Sequence, residues 1–395
     1  MTLQLARPAS NSTRLLDIVR SAGPISRVEL ARRMALTPAA VSFIVRALLD
    51  EGLIEEVGQV ASAGGKPRTL LAITAGARYG VGVHLGPNET TYVVSNMAGR
   101  VVGTQCVSRP ARLPPSETVD VVSEDVGALL RTLAVDPAGV VGIGIVAPGP
   151  IDYPGGRMLG GPGTAEWSSY PLREELSRRT GLPVVVDKDA TAAAIGEFWG
   201  GRVDAPLSFA CVYMGEGIGS GIVVNGSAFR GSASNAGEIG HVSLDVHGDT
   251  CRCGNRGCLE LFAAPTEVVR KARARGMDLP GGDTMPVARL FDEISRRAVS
   301  QDPLAQELIQ ESAQYIAEGV LTLVNITDLD LVVLAGPGFA IASAIYVGAI
   351  RAVLEDRFFA RRAHTIDVRF SKNPRDAAAL GASALVLQHQ LAPRS

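Results

Sequence analysis

Cys251, Cys253 and Cys258 stand in one short loop, Cys-Arg-Cys-Gly-Asn-Arg-Gly-Cys-Leu-Glu, and Gly-Glu-Ile-Gly-His, Gly237 to His241, lies a few residues upstream. A ligand set of this kind restricts folding strongly, because the backbone must bring every ligand to one point. Three thiolates and one imidazole make a closed tetrahedral set suited to a structural zinc, with no open position for catalysis. Gly254 and Gly257 allow the tight turn that aims all three sulfurs inward. The alternative is a reduced cysteine cluster beside an unrelated histidine. The spacing predicts one structural zinc held by His241, Cys251, Cys253 and Cys258.

The chain has 395 residues, enough for two or three domains that each bury a core. Its 46% hydrophobic and 20% charged residues describe a compact, Gly- and Ala-rich soluble protein. No apolar run is long enough to span a bilayer and no signal-like segment opens the chain, so a cytoplasmic protein without a membrane partner is expected. Cys106 and Cys211 are isolated on strand-like segments, which argues against a disulfide framework. The net charge of −2 argues against nucleic-acid binding over the whole surface. That average hides a contrast, since up to Leu70 there are nine basic and six acidic residues, a net charge of +3.

This basic part, taken as residues 1–75, reads as three short helices and two strands. Leu15, Leu16, Ile18 and Val19 mark a first amphipathic helix ending near Ala22-Gly23-Pro24. Ser26 is a good N-cap for Arg27 to Met34, and Thr37-Pro38 opens a third helix with apolar positions Val41, Ile44, Val45, Leu48 and Leu49 and a stop at Gly52. Leu53 to Val57 and Thr69 to Ile73 read as strands joined by a Gly/Ser-rich loop. The sum is an α+β winged helix-turn-helix with a basic wing, in which the third helix enters the major groove of operator DNA. Thr37, Ala39, Ala40, Ser42 and Arg46 are the groove-facing candidates, and Lys66 and Arg68 the wing candidates. A small helical protein-binding domain is the alternative. So few charges on the reading helix imply a homodimer, or a dimer of dimers, on a two-fold site.

From about residue 76 to 395, strands and helices alternate in an α/β pattern. Strands are expected at Tyr79–Val83, Thr91–Asn96, Arg100–Val107, Val140–Val146, Pro183–Val186, Phe209–Tyr213, Gly221–Val224 and Leu331–Leu334. Helices are expected at Ser116–Leu133, Leu172–Thr180, Ala190–Trp199, Pro265–Arg275, Leu304–Ile326 and Ala340–Asp356. The zinc loop, the preceding Gly-Glu-Ile-Gly-His, the segments Gly142 to Asp152 and Val186 to Glu197, and the winged helix in front together resemble the ROK family of bacterial sugar-responsive repressors and sugar kinases. The resemblance covers essentially the whole chain. It implies a two-lobed, actin-like domain of the hexokinase and ribonuclease-H kind behind the winged helix.

The resemblance also implies a sugar site made by Gly149, Lys188, Asp189, Glu238, His241 and Glu260. Asp189 falls where ROK kinases keep the general base, and His241 serves both metal and sugar. One residue departs from the pattern: Lys188 stands where the family usually has asparagine, so the ligand could be a plain, acidic or phosphorylated sugar.

Two further departures concern ATP. The family's Asp-x-Gly-Gly-Thr phosphate loop reads here His84-Leu85-Gly86-Pro87-Asn88, losing a carboxylate and a backbone N–H. The second phosphate loop reads Gly215-Glu216-Gly217-Ile218-Gly219-Ser220-Gly221, with a carboxylate where polyphosphate should sit; without the family context it would be a glycine-rich hairpin. The sequence therefore predicts a DNA-binding regulator, a repressor in sign, that senses a sugar and is not an enzyme. The rivals are an ATP-dependent sugar kinase with a fused DNA-binding domain, and a DNA-binding module controlled by a partner protein.

Overall fold

The computed structural model describes residues 11–62, 65–109, 113–159, 166–200, 208–224, 226–281 and 285–391. It begins with α1 (Asn11–Ala22), β1 (Ile25–Ser26), α2 (Arg27–Met34), α3 (Pro38–Asp50), β2 (Ile54–Ser62) and β3 (Gly65–Ile73). The caps form as their chemistry requires. The Ser26 side chain accepts from the Glu29 N–H at 3.3 Å, and Thr37 accepts from Ala40 N–H at 3.3 Å with Pro38 at the first helical position. Ala35, left-handed at φ 54°, makes the turn between α2 and α3. Leu15, Leu30, Val41, Val45 and Leu71 are fully buried where the helices meet the antiparallel sheet β1-β3-β2. The wing strands run longer than their apolar residues suggest, because backbone pairing continues from Ile54 opposite Ile73 out to Ser62 opposite Gly65.

Two five-stranded sheets follow, and they share one topology. In the first, β4 (Tyr79–Leu85), β5 (Glu89–Asn96) and β6 (Val101–Ser108) form an antiparallel meander. The parallel strands β7 (Val140–Ala147) and β10 (Val184–Lys188) extend it past β4, giving the order β10-β7-β4-β5-β6. Helix α4 (Pro115–Thr132) precedes β7, and the ribbon β8 (Ile151–Asp152) and β9 (Arg157–Met158), α5 (Glu166–Ser169) and α6 (Leu172–Thr180) lie between β7 and β10. After α7 (Asp189–Trp199), the second sheet repeats the plan: meander β11 (Phe209–Met214), β12 (Ile218–Val224) and β13 (Ser227–Phe229), then parallel β14 (Leu331–Ala335) and β15 (Asp367–Phe370). Helices α8 (Glu260–Ala263), α9 (Pro265–Ala274), α10 (Val287–Val299), α11 (Pro303–Thr327), α12 (Ser343–Arg357) and α13 (Ala377–Leu391) complete it.

Two helices exchange partners between the lobes. Helix α7 leaves β10 of the first sheet and packs on β11 and β12 of the second, while α13 leaves β15 of the second and packs on β4 and β7 of the first. They cross where Gly196 faces Gly381: a Cβ on Gly196 would lie 2.9 Å from the Gly381 nitrogen. Strand glycines Gly80, Gly82 and Gly144 similarly let the α13 backbone rest on the sheet.

Helices α10 and α13 and strand β15 were not anticipated. Helix α13 is Ala- and Gly-rich and buried nearly all round from Ala377 to Leu387, so it carries no polar stripe for a 3.6-residue period to reveal. Helix α10 did carry a signal, in Leu290, Phe291, Ile294 and Ala298. Strand β12 begins at Ile218 rather than Gly221 and α12 at Ser343 rather than Ala340; Pro337–Phe339 instead form a 3₁₀ turn. Among the described residues no helix is long and apolar enough to cross a membrane.

Candidate functional site

The cysteine loop folds back on the turn that carries His241. Bridges Ser243 to Cys258 and Thr250 to Arg256 set its width, and Gly254 (φ 92°) and Gly257 (φ 56°) make its turns. The ligand atoms of His241, Cys251, Cys253 and Cys258 all lie within 4.8 Å of one another. Cys253 Sγ is 3.7 Å from Cys258 Sγ, and Cys251 Sγ is 3.7 Å from His241 Nδ1. Sulfurs about 2.3 Å from a tetrahedral zinc would stand about 3.8 Å apart, so the donor set fits that ion in both chemistry and spacing. With Nδ1 facing the sulfurs, Nε2 of His241 is left for another partner.

The predicted sugar residues fall at the junction of the two sheets, and the structure adds partners for them. Lys188, its side chain only 3% exposed, donates to Glu238 Oε1 and to the Ala236 carbonyl, both at 2.6 Å. The sequence reading left Lys188 free to meet a ligand; here two of its three donors are engaged. Gly149 stands against this pair, with room for a Cβ only 3.0 Å from Lys188 Cδ and 3.3 Å from Glu238 Oε1. Asp189 opens α7, and its Oδ2 lies 3.8 Å from His84 Nε2. Glu260 Oε1 accepts from the Ile218 N–H at 2.9 Å, beside Gly217 and Gly240.

Beneath Lys188, Asp187 is fully buried and accepts from Arg230 at 2.8 and 3.0 Å; Arg230 in turn lies over the Tyr153 ring, 4.5 Å from its centroid. Burial pushes the Asp187 carboxyl up, against the pull of Arg230. Asn235 closes a two-way bond with the Ile151 backbone, both legs at 3.0 Å. The segment from Arg230 to Glu238 is thus tied to β10 of the first sheet through Asp187 and Lys188, and to the β8 ribbon through Ile151. Neither Asp187 nor Arg230 was singled out from the sequence; a lone arginine after a short strand carries no local signal.

The β4–β5 and β11–β12 hairpins meet. Asn88 Nδ2 donates to Glu216 Oε1 at 2.9 Å, joining the β4–β5 hairpin of one sheet to the β11–β12 hairpin of the other. Burial pushes the Glu216 carboxyl up, opposed by Asn88 and Arg252.

On the reading helix, Thr37, Ala39, Ser42 and Arg46 are exposed, whereas Ala40 is half-buried on the flank beside Ile44. The outer stripe carries instead Phe43, 78% exposed. Helical periodicity could have found it, since Phe43 falls between the buried Val41 and Val45. Arg68 is exposed on β3; Lys66 lies on the same strand, with its side chain outside the described residues. Arg27, Arg32 and Arg33 are engaged by Glu56 and Glu29.

The winged helix is docked on the rest of the chain through α1. The Arg20 guanidinium, buried and 3.6 Å from Asp17, donates to the Trp199 carbonyl at the end of α7 and lies 4.5 Å from the centroid of the Trp199 ring. Burial pushes Arg20 down and Asp17 up from their ordinary values, each opposed by the other.

Two lobes of one topology around crossed helices, with a winged helix in front, define a sugar-kinase-like domain coupled to a DNA-binding module. The ROK family model matches residues 80–389 and a winged helix-turn-helix DNA-binding model matches residues 10–55. The chain belongs to the ROK family. It is 29% identical over 375 residues to the xylose repressor of Caldicellulosiruptor bescii, covering 93% of this chain and 92% of that one. A crystal structure of a ROK family transcriptional regulator, a homolog of the Escherichia coli MLC protein, shares the fold with TM-score 0.75 at 24% identity, covering 96% of each chain. A ROK family glucokinase from Streptomyces griseus, solved with glucose and AMPPNP, aligns with TM-score 0.64 at 26% identity, covering 78% of this chain and 99% of that one.

Proposed function

We propose that this protein is a sugar-responsive transcriptional repressor of the cytoplasm, not an enzyme. Residues 1–75 would bind operator DNA and residues 76–395 would bind the effector. The observation that carries the non-enzymatic part is the Asn88–Glu216 hydrogen bond, which joins the two hairpins that the family resemblance assigns to polyphosphate. A carboxylate there repels phosphate by about 4 kcal/mol at about 4 Å and an effective dielectric near 20. The retained Asp189 then serves as a hydroxyl acceptor. Likeness to the xylose repressor over nearly its whole length supports the regulatory reading.

Gly149, Lys188, Asp189, Glu238, His241 and Glu260 are the effector site in this proposal. Glu238 and Glu260 each keep lone pairs for hydroxyls, and the hydrogen bond from Lys188 holds Glu238 in place. His241, Cys251, Cys253 and Cys258 hold one structural zinc, which cross-links the loop to the turn bearing His241. Glu238 precedes that turn and Glu260 follows Cys258 by two residues, so the cross-link fixes both carboxylates.

A sugar can release DNA only if it binds two lobe arrangements with different affinity. The crossed pair α7 and α13 is the joint between lobes, and α7 carries Asp189 at one end and the Arg20 contact at the other. A homodimer would turn this motion into a change in spacing between two winged helices.

The test is binding of the full chain to its own upstream DNA with and without xylose, glucose, N-acetylglucosamine and the matching sugar acids, beside ATP consumption with the same panel. Release by one sugar and no ATP turnover are expected. Turnover above about 1 s⁻¹ would overturn the non-enzymatic reading; sugar-tightened DNA binding would reverse the sign of the response.

A further inference from the structure

Phe43 is the one large apolar side chain on the outer face of α3. Val41, Val45 and Leu48 are buried on the opposite face and fix the helix's rotation, so the ring cannot turn inward. Ala39, Ser42, Phe43 and Arg46 follow at spacings of three, four and seven residues, which puts all four on one stripe. The stripe is short-chained around the ring: Ala39 and Ser42 let the helix axis come close to a groove floor, and Arg46 lies about one turn further on. Phe43 is 78% exposed, and water gains nothing from a bare aromatic face.

Apart from Asp50 at its C-terminal end, the outer stripe of the reading helix carries no amide or carboxylate side chain, so it has few hydrogen bonds to offer base edges. What it does offer is apolar surface, and the only apolar group on the major-groove floor of DNA is the thymine C5-methyl. We infer that Phe43 reads thymine: its ring packs on the methyl groups of one or two thymines in each half-site, and Arg46, exposed and without an ion pair among the described residues, contacts guanine or phosphate beside them. This rests on the proposed DNA-binding function and adds the base that the helix recognises.

The experiment selects duplexes from a random pool with the full chain, then replaces the thymines of the selected half-site one at a time by deoxyuridine, which removes only the methyl. Affinity should fall about fourfold at each contacted thymine, the factor expected for one buried methyl group, and be unchanged elsewhere. Phe43→Ala should bind the thymine duplex about tenfold more weakly and no longer distinguish thymine from deoxyuridine; the exposed position leaves folding intact, as an unchanged melting temperature would verify. Failure to select any duplex would count against the DNA-binding function itself. If a duplex is selected but deoxyuridine costs nothing, or Phe43→Ala loses the same factor on both duplexes, then Phe43 does not read thymine methyls and the inference is overturned.

Discussion

At the scale of single residues, the ion pair Lys188–Glu238 is asymmetric, and that asymmetry is testable. Lys188 is buried, whereas Glu238 is 38% exposed and water can reach it. Removing the carboxylate leaves an ammonium with only the Ala236 carbonyl for a partner; removing the ammonium leaves a carboxylate that can be hydrated. Glu238→Ala should therefore cost about 2–3 kcal/mol, less than the usual 3–5 for breaking a fully buried pair, and Lys188→Met distinctly less. Urea denaturation of both variants measures the difference, and equal costs would contradict the argument. Cys258→Ser tests the metal cluster, since Cys258 is fully buried and its sulfur has no substitute. Metal content by mass spectrometry should fall from about one zinc per chain towards none, with loss of any sugar response. The cluster of His241, Cys251, Cys253 and Cys258 was legible because three of its members sit in one loop. Lys188's engagement was not, because its partner lies fifty residues away and only the tertiary fold brings them together.

Elements differ in how much of themselves the sequence displays. Helices α2 and α3 were readable because their caps are local: Ser26 and Thr37 act within three residues of their own positions. Helix α13 was unreadable because its function in the fold is to be buried on several sides at once, which erases the amphipathic period. The same feature makes it fragile. A Cβ at Gly381 would meet the Ala192 carbonyl of α7, backbone against backbone, where nothing flexible can yield. Gly381→Ala should cost about 1–3 kcal/mol or more through overpacking of the crossing. Gly348, exposed in α12 with nothing near its missing Cβ, is the control: Gly348→Ala should stabilise by about 0.5–1 kcal/mol through helix propensity. A thermal melt of the two variants should move in opposite directions.

For the whole molecule, the question is how a ligand between lobes could be felt by a winged helix. Helix α7 spans that distance: eleven residues at 1.5 Å rise give about 15 Å from Asp189 to Trp199. It is packed on the second sheet and against α13, so displacement at its N-terminus is carried along the rod rather than absorbed in a loop. At the far end Arg20 holds the Trp199 carbonyl and ring, and Thr13, Leu16, Ile73 and Met97 line the same junction. If this contact couples the two parts, Arg20→Ala should leave sugar affinity within about twofold and leave operator binding without sugar nearly intact, while the sugar-induced loss of DNA affinity shrinks by about tenfold, within the usual range of allosteric coupling. Calorimetry with the responding sugar and DNA titrations with and without it separate the three quantities. A variant that still releases DNA as the parent does would place the coupling elsewhere, in the linker between β3 and β4 or across a dimer. A variant that loses sugar binding as well would mean that Arg20 supports the lobes themselves and is not a connection between sites.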